Sequence, residues 1–189
     1  MKSRSRWARL LGVIGLTVVA VAFACGGLDL VTVSHDQDLP MPAALQGQPL
    51  VDEVVTAPEG FDPLATPEME KYGGTAAAIG EANLELATLE IIEGADNLDW
   101  LDSIQFYVKT ENHDPVLLAE ETDVPGGVQW IDLTVDGGVD LTDLVDDGEL
   151  IPEMVISGTG PDTNTILNVA FEISLGVSVE STCDAILGR

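Results

Sequence analysis

Residues 167–180, LNVAFEISLGVSVE, decide the fold class of this chain. From Leu167 to Val179 the apolar residues alternate with polar or small ones, and a two-residue period is the pattern of a β-strand with one buried face. At 3.3 Å per residue the strand would extend about 43 Å. That is longer than most strands, so we expect a bend or bulge near Gly176.

Six further segments have strand-like patterns. They are residues 28–33, 79–92, 103–110, 116–121, 128–136 and 151–157. In residues 79–92 the apolar positions change phase, which indicates a bulge near Ala87 and Thr88. Turns rich in glycine, proline, asparagine and aspartate separate the segments. The sequence therefore predicts an all-β fold, an antiparallel β-sandwich of about seven strands.

Helical signals are few and short. Thr66 and Pro67 predict an N-cap and first helical position for residues 67–72, and capping residues also precede residues 97–101 and 141–145. We expect two or three short helical turns. Residues 37–67 carry six prolines, which favours extended or irregular backbone over helix or sheet, as in a tether or a wrapping loop.

The N-terminal residues have the order of an export signal. Four basic residues precede an apolar run over residues 10–23, and the small-residue junction Ala24-Cys25-Gly26-Gly27 follows. The run is shorter than the roughly 20 residues that a membrane-spanning helix needs. We therefore expect residues 1–24 to be a signal peptide and the remaining chain to leave the cytoplasm.

Two modes of cleavage fit the junction. Residues 22–24 satisfy the small-x-small rule of ordinary signal peptidase, while residues 22–25 resemble the lipobox of bacterial lipoproteins, with Ala22 where leucine is usual. The resemblance implies a diacylglyceryl thioether on Cys25 and an acylated amino group, a palmitate-type anchor. About two acyl chains give stable anchoring. Gly26 implies the outer membrane in a two-membrane cell, and a secreted or periplasmic protein is the alternative.

Cys183 distinguishes these alternatives. If Cys25 were not lipidated, an oxidising compartment would favour a disulfide between Cys25 and Cys183, nominally worth about 5 kcal/mol in the chain-entropy model. If Cys25 is lipidated, Cys183 is a lone thiol, and we expect it to be a small buried hydrophobic side chain.

Three segments follow from these patterns. Residues 1–24 are the predicted signal peptide, and residues 25–75 a lipid-anchored N-terminal strand with the proline-rich tether or wrapping segment. Residues 76–189 are the predicted acidic β-sandwich domain.

Charge excludes some partners. The chain has 33 acidic and seven basic residues, and residues 1–24 hold four of the basic ones. Such a surface repels nucleic acid and anionic headgroups, which are bound through lysine and arginine. The expected partners are the membrane, through the N-terminal lipid, and an unknown basic protein or cation. A saline habitat or a solubility requirement also explains the acidity, and we favour that explanation over a specific cation-binding function.

The densest acidic cluster lies in residues 136–149. Asp136, Asp140 and Asp143 in a glycine-rich loop are weak candidates for calcium ligands, since calcium prefers carboxylate oxygens. Their spacing does not match an EF-hand. Turn formation by Asp136 and helix capping by Asp140 explain the same residues without a metal, and we favour that interpretation. We therefore expect no cofactor, with calcium as the alternative.

Other chemical motifs are weak. His35 and His113 are far apart in turn-like polar contexts, too few for a zinc site. Nothing local supports Cys183 as a nucleophile with His113 as its base, and no Gly-x-Ser-x-Gly elbow is present. Carboxylate pairs suited to glycoside hydrolysis are too abundant in this chain to be diagnostic. We therefore expect no enzymatic activity.

Two tryptophans stand out. Trp100 lies in the predicted turn at residues 97–101, where we expect it in the core. Trp130 falls on the polar face of its strand, and an outward tryptophan can stack on a sugar or a partner protein. The alternative, which we favour, is that the proline-rich segment covers Trp130.

The overall pattern resembles the small β-sandwich lipoproteins of bacterial envelopes, a likeness of class that carries no active site. It implies a membrane-anchored protein with a non-catalytic interaction or envelope-structural role. The alternatives are a calcium-binding or cation-dependent adhesion module, and a hydrolase that acts on envelope glycans.

Overall fold

The computed structural model describes residues 28–70, 72–73 and 79–178. In these residues two antiparallel sheets pack against each other, and only short helices accompany them. The predicted all-β antiparallel sandwich is confirmed. No helix in the described ranges has the length and apolar character needed to cross a membrane.

The described residues form nine strands, two short α-helices and two 3-10 turns. The strands are β1 (Leu28–Pro40), β2 (Pro49–Thr56), β3 (Ile79–Glu93), β4 (Leu101–Lys109), β5 (Val116–Glu121), β6 (Trp130–Asp132), β7 (Thr134–Val135), β8 (Ile151–Thr159) and β9 (Ile166–Ser178). The helices are α1 (Pro67–Glu70) and α2 (Thr142–Asp146), and the 3-10 turns are Ala43–Leu45 and Pro63–Ala65.

Strand β9 organises the first sheet, whose order is β1-β9-β3-β6. It pairs with β1 without interruption, from Leu28 opposite Ser178 to Pro40 opposite Ile166. Its apolar positions face the second sheet, of order β2-β8-β4-β5-β7, and all are at most 1 % exposed: Leu167, Val169, Phe171, Ile173, Leu175 and Val177. The period-two pattern of residues 167–180 thus builds the centre of the core where the structure describes it.

The irregularities of this sheet lie in β3. Its pairing with β9 shifts between Ile79 and Glu81, between Leu84 and Leu86, and between Ile91 and Glu93. In each case two residues of β3 span one step of β9, as in a β-bulge. The bulge expected near Gly176 therefore falls in the neighbouring strand, and the one expected near Ala87 lies two residues earlier.

Strand β1 is longer than predicted. The sequence predicted an end at Val33, before the polar residues Ser34, His35 and Asp36. The strand instead continues through His35, whose ring stacks on Phe61, and through Gln37, whose side chain donates a hydrogen bond to the carbonyl oxygen of Glu59. Contacts with residues 57–66 thus take the place of the missing apolar pattern.

The expectation that residues 37–67 lack sheet structure is wrong for β2. Pro49 occupies the first position of a strand at the edge of its sheet, where a missing N–H does not interrupt a ladder. Leu50 and Val55 point into the core, and the pairing with β8 shifts around Asp52, which has φ of 50°. This shift hides the alternation in the sequence.

The single strand predicted at residues 128–136 is two strands in different sheets. Strand β6 pairs with β3, whereas β7 pairs with β5. Leu133 lies between them, is 5 % exposed and donates its N–H to the carbonyl of Ala87. The chain crosses from one sheet to the other at this residue.

Two of the three predicted helical turns are helices, α1 within residues 67–72 and α2 at residues 142–146. Residues 97–101 form a turn instead. Leu101 donates its N–H to the carbonyl of Leu98 but already pairs with Gly158 in the second sheet. The sheet therefore ends the turn before a helix can extend.

Candidate functional site

The acidic loop is a set of turns rather than a cluster of converging ligands. Oδ1 of Asp136 accepts the N–H of Gly138 at 3.1 Å, and Oδ1 of Asp140 accepts the N–H and hydroxyl of Thr142 at 2.9 and 2.6 Å. The two hydrogen bonds from Thr142, that of its side chain foremost, lower the pKa of Asp140 from its ordinary value. Asp143 is exposed in the first turn of α2.

The three candidate calcium ligands are not brought together. Across the described ranges, no three side chains of histidine, cysteine, aspartate or glutamate are grouped as metal ligands. Hydrogen bonds within turns account for Asp136 and Asp140, but the N-cap position of α2 is Leu141, so the predicted capping by Asp140 is wrong. Calcium binding stays a prediction of the sequence alone.

A hydrogen-bonded cluster joins the end of α2 to the turn after β4. Oδ2 of Asp147 accepts the hydroxyl of Thr110 at 2.6 Å and lies 2.9 Å from Nδ1 of His113. The Thr110 hydrogen bond is the main cause of a lowered pKa at Asp147, and His113 adds to it. Oγ1 of Thr110 also accepts the backbone N–H groups of Asn112 and His113. Because the Thr110 hydroxyl donates a hydrogen bond to the Asp147 carboxylate and accepts two backbone N–H groups, the cluster stabilises the turn after β4.

His35 is in an aromatic cluster between the sheets, and its predicted turn-like context is wrong. Its ring lies 4.3 Å from that of Phe61 and 5.4 Å from that of Phe171, centroid to centroid. Burial lowers the pKa of His35, while the charge of Asp36 opposes the shift. Among the described residues Nε2 of His35 is buried and has no hydrogen-bond partner.

Positive charge is scarce on the surface. Lys109 is the one lysine or arginine in the described ranges, and its Nζ lies 2.5 Å from Oε2 of Glu153 on the outer face of the second sheet. Since this cation is already paired, the electrostatic field around the described surface comes mainly from carboxylates.

Trp130 lies on the outer face of β6 with 57 % of its surface exposed. The predicted outward orientation is confirmed, and the prediction that the proline-rich segment covers Trp130 is wrong. Residues 57–66 run beside β1, through the contacts of Gln37 and His35, and β1 and β6 are opposite edges of the first sheet.

A groove of about 770 Å³ opens beside Trp130. Its lining includes three carboxylates, those of Asp96, Glu121 and Asp132. The loop of residues 125–129 forms one wall, where the N–H of Gly127 donates to Oδ1 of Asp99 at 2.5 Å. The groove thus combines an exposed indole with acidic side chains.

Trp100 lies near a second cavity, of about 470 Å³, on the other side of the Asp96 and Asn97 turn. It is half-buried and packs against the core, so its predicted core position is only partly reached. Its Nε1 is buried and has no partner among the described residues.

The groove could be anticipated only in part. Trp130 on a polar strand face was the signal for an exposed aromatic side chain. Asp96 comes from the turn after β3 and Glu121 from the end of β5, and no local pattern links them to Trp130. Cys25 and Cys183, the predicted lipidation site and its possible disulfide partner, lie outside the described residues.

Comparison with known proteins gives no family. No protein-family model matches the sequence, and no curated protein matches it. A chain of tomato aspermy virus is similar at 8 % identity with a TM-score of 0.28, covering 84 % of this chain and 93 % of that one. A chain of the Israeli acute paralysis virus particle is similar at 11 % identity with the same TM-score, covering 84 % and 76 %. Neither likeness bears on fold or function at these TM-scores.

Proposed function

We propose that this protein is an exported lipoprotein, held to a membrane through acylated Cys25, with a non-catalytic interaction or envelope-structural role. The observation that carries the proposal is Cys25 at the end of the apolar run over residues 10–23, behind basic residues and followed by two glycines. Gly26 next to Cys25 favours the outer membrane in a two-membrane cell.

The position of β1 bears on how the anchored protein is arranged. Leu28 is already paired with Ser178, and it lies three residues after Cys25. Three residues span at most about 11 Å of extended chain. In the anchored protein, the end of the sandwich where β1 begins and β9 ends therefore lies close to the bilayer, with no long stalk between.

An interaction role fits the exposed surface. Four apolar side chains on edge strands are more than half exposed: Leu30 on β1, Val51 and Val54 on β2, and Trp130 on β6. Exposed aromatic side chains such as Trp130 are enriched where proteins meet a partner. Charge of a single sign favours a basic partner.

The test is the intact mass and membrane partition of the chain expressed in its bacterial host. We expect the mass of the acyl groups on the wild-type protein, and its loss with release from the membrane in Cys25→Ser. Cys183→Ser is the matched control and should stay acylated. An unacylated, soluble wild-type protein with a Cys25 to Cys183 disulfide would refute the proposal.

A further inference from the structure

The groove beside Trp130 runs along an unpaired strand edge. Strand β6 pairs with β3 on one side, and no described strand lies on the other. Ile91 donates its N–H to the carbonyl of Gln129 at 2.9 Å, and Leu133 donates to that of Ala87 at 2.8 Å. These bonds mark Gln129 and Leu133 as residues whose backbone groups point toward β3.

The residues between them point the other way. In an antiparallel pair the hydrogen-bonded and non-hydrogen-bonded positions alternate, so Trp130 and Asp132 direct their N–H and C=O groups away from β3. Val128 belongs to the same alternate set, and its carbonyl accepts the N–H of Leu98 at 2.8 Å on that side. Past this contact with Leu98, the free edge of β6 borders the groove, and Trp130 and Asp132 are part of the groove lining.

Such an edge can accept another strand. Unpaired N–H and C=O groups in a row are the template on which an extended segment adds to a sheet. With two outward-directed residues, β6 offers up to two N–H donors and two C=O acceptors. The segment that fits is therefore short and extended.

The side chains around the edge select positive charge. Asp96, Glu121 and Asp132 line the groove, and Glu90 pairs directly with Trp130 across β3 and β6. Among the residues that the structure describes, no lysine or arginine lines the groove. A guanidinium group stacks on an indole face and binds carboxylates through two parallel hydrogen bonds, so arginine suits this surface better than lysine.

We propose that the groove beside Trp130 binds an extended, arginine-containing segment of a partner protein by strand addition to β6. The segment pairs with the backbone of Trp130 and Asp132, its arginine stacks on the indole, and the carboxylates hold the charge. This inference rests on the proposed interaction role and names its site and the chemistry of the partner. A second copy of this chain fits poorly, because the net charge of −26 makes two copies repel each other.

The probe is a fluorescein-labelled peptide of four Thr-Arg repeats with blocked termini, titrated with the full chain and followed by anisotropy. Trp130→Ala should weaken binding at least tenfold, as expected for a central aromatic contact. Leu86→Ala is the matched control, an exposed apolar residue of β3 on the same sheet, and should change binding less than twofold.

Charge and backbone are tested in parallel. Asp132→Asn should weaken binding severalfold and reduce its salt dependence, whereas Asp38→Asn, an exposed residue on β1 at the opposite edge, should not. A peptide N-methylated at alternate residues should bind at least tenfold more weakly, because it cannot complete a strand ladder. This last comparison needs no protein variant.

Several results overturn the proposal. They are equal weakening by Asp132→Asn and Asp38→Asn, equal binding of the N-methylated peptide, or no peptide binding at all. Binding of a chito-oligosaccharide that Trp130→Ala abolishes, without peptide binding, makes the groove a sugar site. A dimer that Trp130→Ala dissociates, seen by sedimentation, makes it a contact between copies.

Failure of this inference is distinct from failure of the proposed anchoring. Peptide binding is measured on the wild-type chain and on Cys25→Ser, and acylation on the same two proteins. An unacylated chain that binds the peptide through Trp130 removes the anchor and keeps the groove. An acylated chain that does not bind the peptide keeps the anchor and removes the groove as a binding site.

Discussion

Three glycine-to-alanine substitutions separate backbone strain from steric overlap in this sandwich. Gly94 and Gly148 both have φ of 102°, a conformation that alanine rarely adopts. A Cβ on Gly94 would overlap the carbonyl oxygen of Asn164 and lie 2.7 Å from Cα of Thr165, whereas one on Gly148 meets nothing within 4 Å. Gly137 has neither a positive φ nor a close neighbour.

Gly148→Ala should cost about 1–2 kcal/mol of unfolding free energy, from left-handed backbone strain alone. Gly94→Ala carries the same strain and must also separate the end of β3 from residues 164–165 before β9. Forced backbone shifts of this kind add about 1–3 kcal/mol. Gly137→Ala should be neutral or stabilising by up to about 1 kcal/mol. Urea denaturation followed by far-UV circular dichroism, in a common Cys25→Ser background, measures all three. Equal destabilisation by Gly94→Ala and Gly148→Ala would show that the overlap with residues 164–165 adds no cost of its own.

Three further predictions concern titration and packing. Because burial lowers the pKa of His35 below 6.5, the unfolded chain takes up a proton that the folded chain resists, so stability should fall as the pH drops below 6.5. His35→Leu should reduce that slope in urea midpoints measured from pH 7 to 5, and an unchanged slope contradicts the assignment. Thr110→Val removes the main hydrogen bond to Asp147, so the pKa of this carboxyl should rise toward 3.8 in an NMR titration. An unchanged pKa would exclude the Thr110 hydrogen bond as the cause of the lowered value. Phe171→Ala should lower the unfolding free energy by about 3–5 kcal/mol, since Phe171 is 1 % exposed and packs among three aromatic rings. Trp130→Ala should change the unfolding free energy by no more than about 0.5 kcal/mol. Comparable losses in the two variants would contradict the assignment of one residue to the core and the other to the surface.

The strands with a regular period could be predicted because burial alone determines their pattern. Strand β9 alternates without interruption where it is described, since each inward side chain packs against the opposite sheet. The pattern fails where another interaction replaces apolar burial. His35 is tolerated on the inner side of β1 because Phe61 stacks on it, and the φ of Asp52 shifts the register of β2. Neither the stacking of Phe61 on His35 nor the φ of Asp52 is evident from neighbouring residues in the sequence.

Long-range arrangement explains the remaining differences. Residues 128–136 have one continuous alternation, but the chain changes sheets at Leu133, and alternation cannot report which sheet a strand joins. The same limit applies to Trp130. Its face was predictable, whereas its exposure depends on the proline-rich segment lying beside the opposite edge of the sheet. The acidic loop was predictable because its hydrogen bonds are local, from Asp136 to Gly138 and from Asp140 to Thr142.

The acidity of the chain determines which partners its open edges can accept. In the described part of the chain, strands β2 and β6 each have one unpaired side and exposed apolar side chains, a combination that promotes pairing between identical edges. Asp52 at the bulge of β2 and Asp132 on β6 place a carboxylate on each edge, and like charges brought opposite each other destabilise such pairing. A basic segment reverses the sign of the same interaction. Screening shortens the range of charge interactions from about 10 Å at 0.1 M salt to about 3 Å at 1 M. Rising salt therefore weakens both the repulsion between identical edges and the attraction of a basic segment. The selectivity for a basic partner over a second copy thus depends on low to moderate ionic strength.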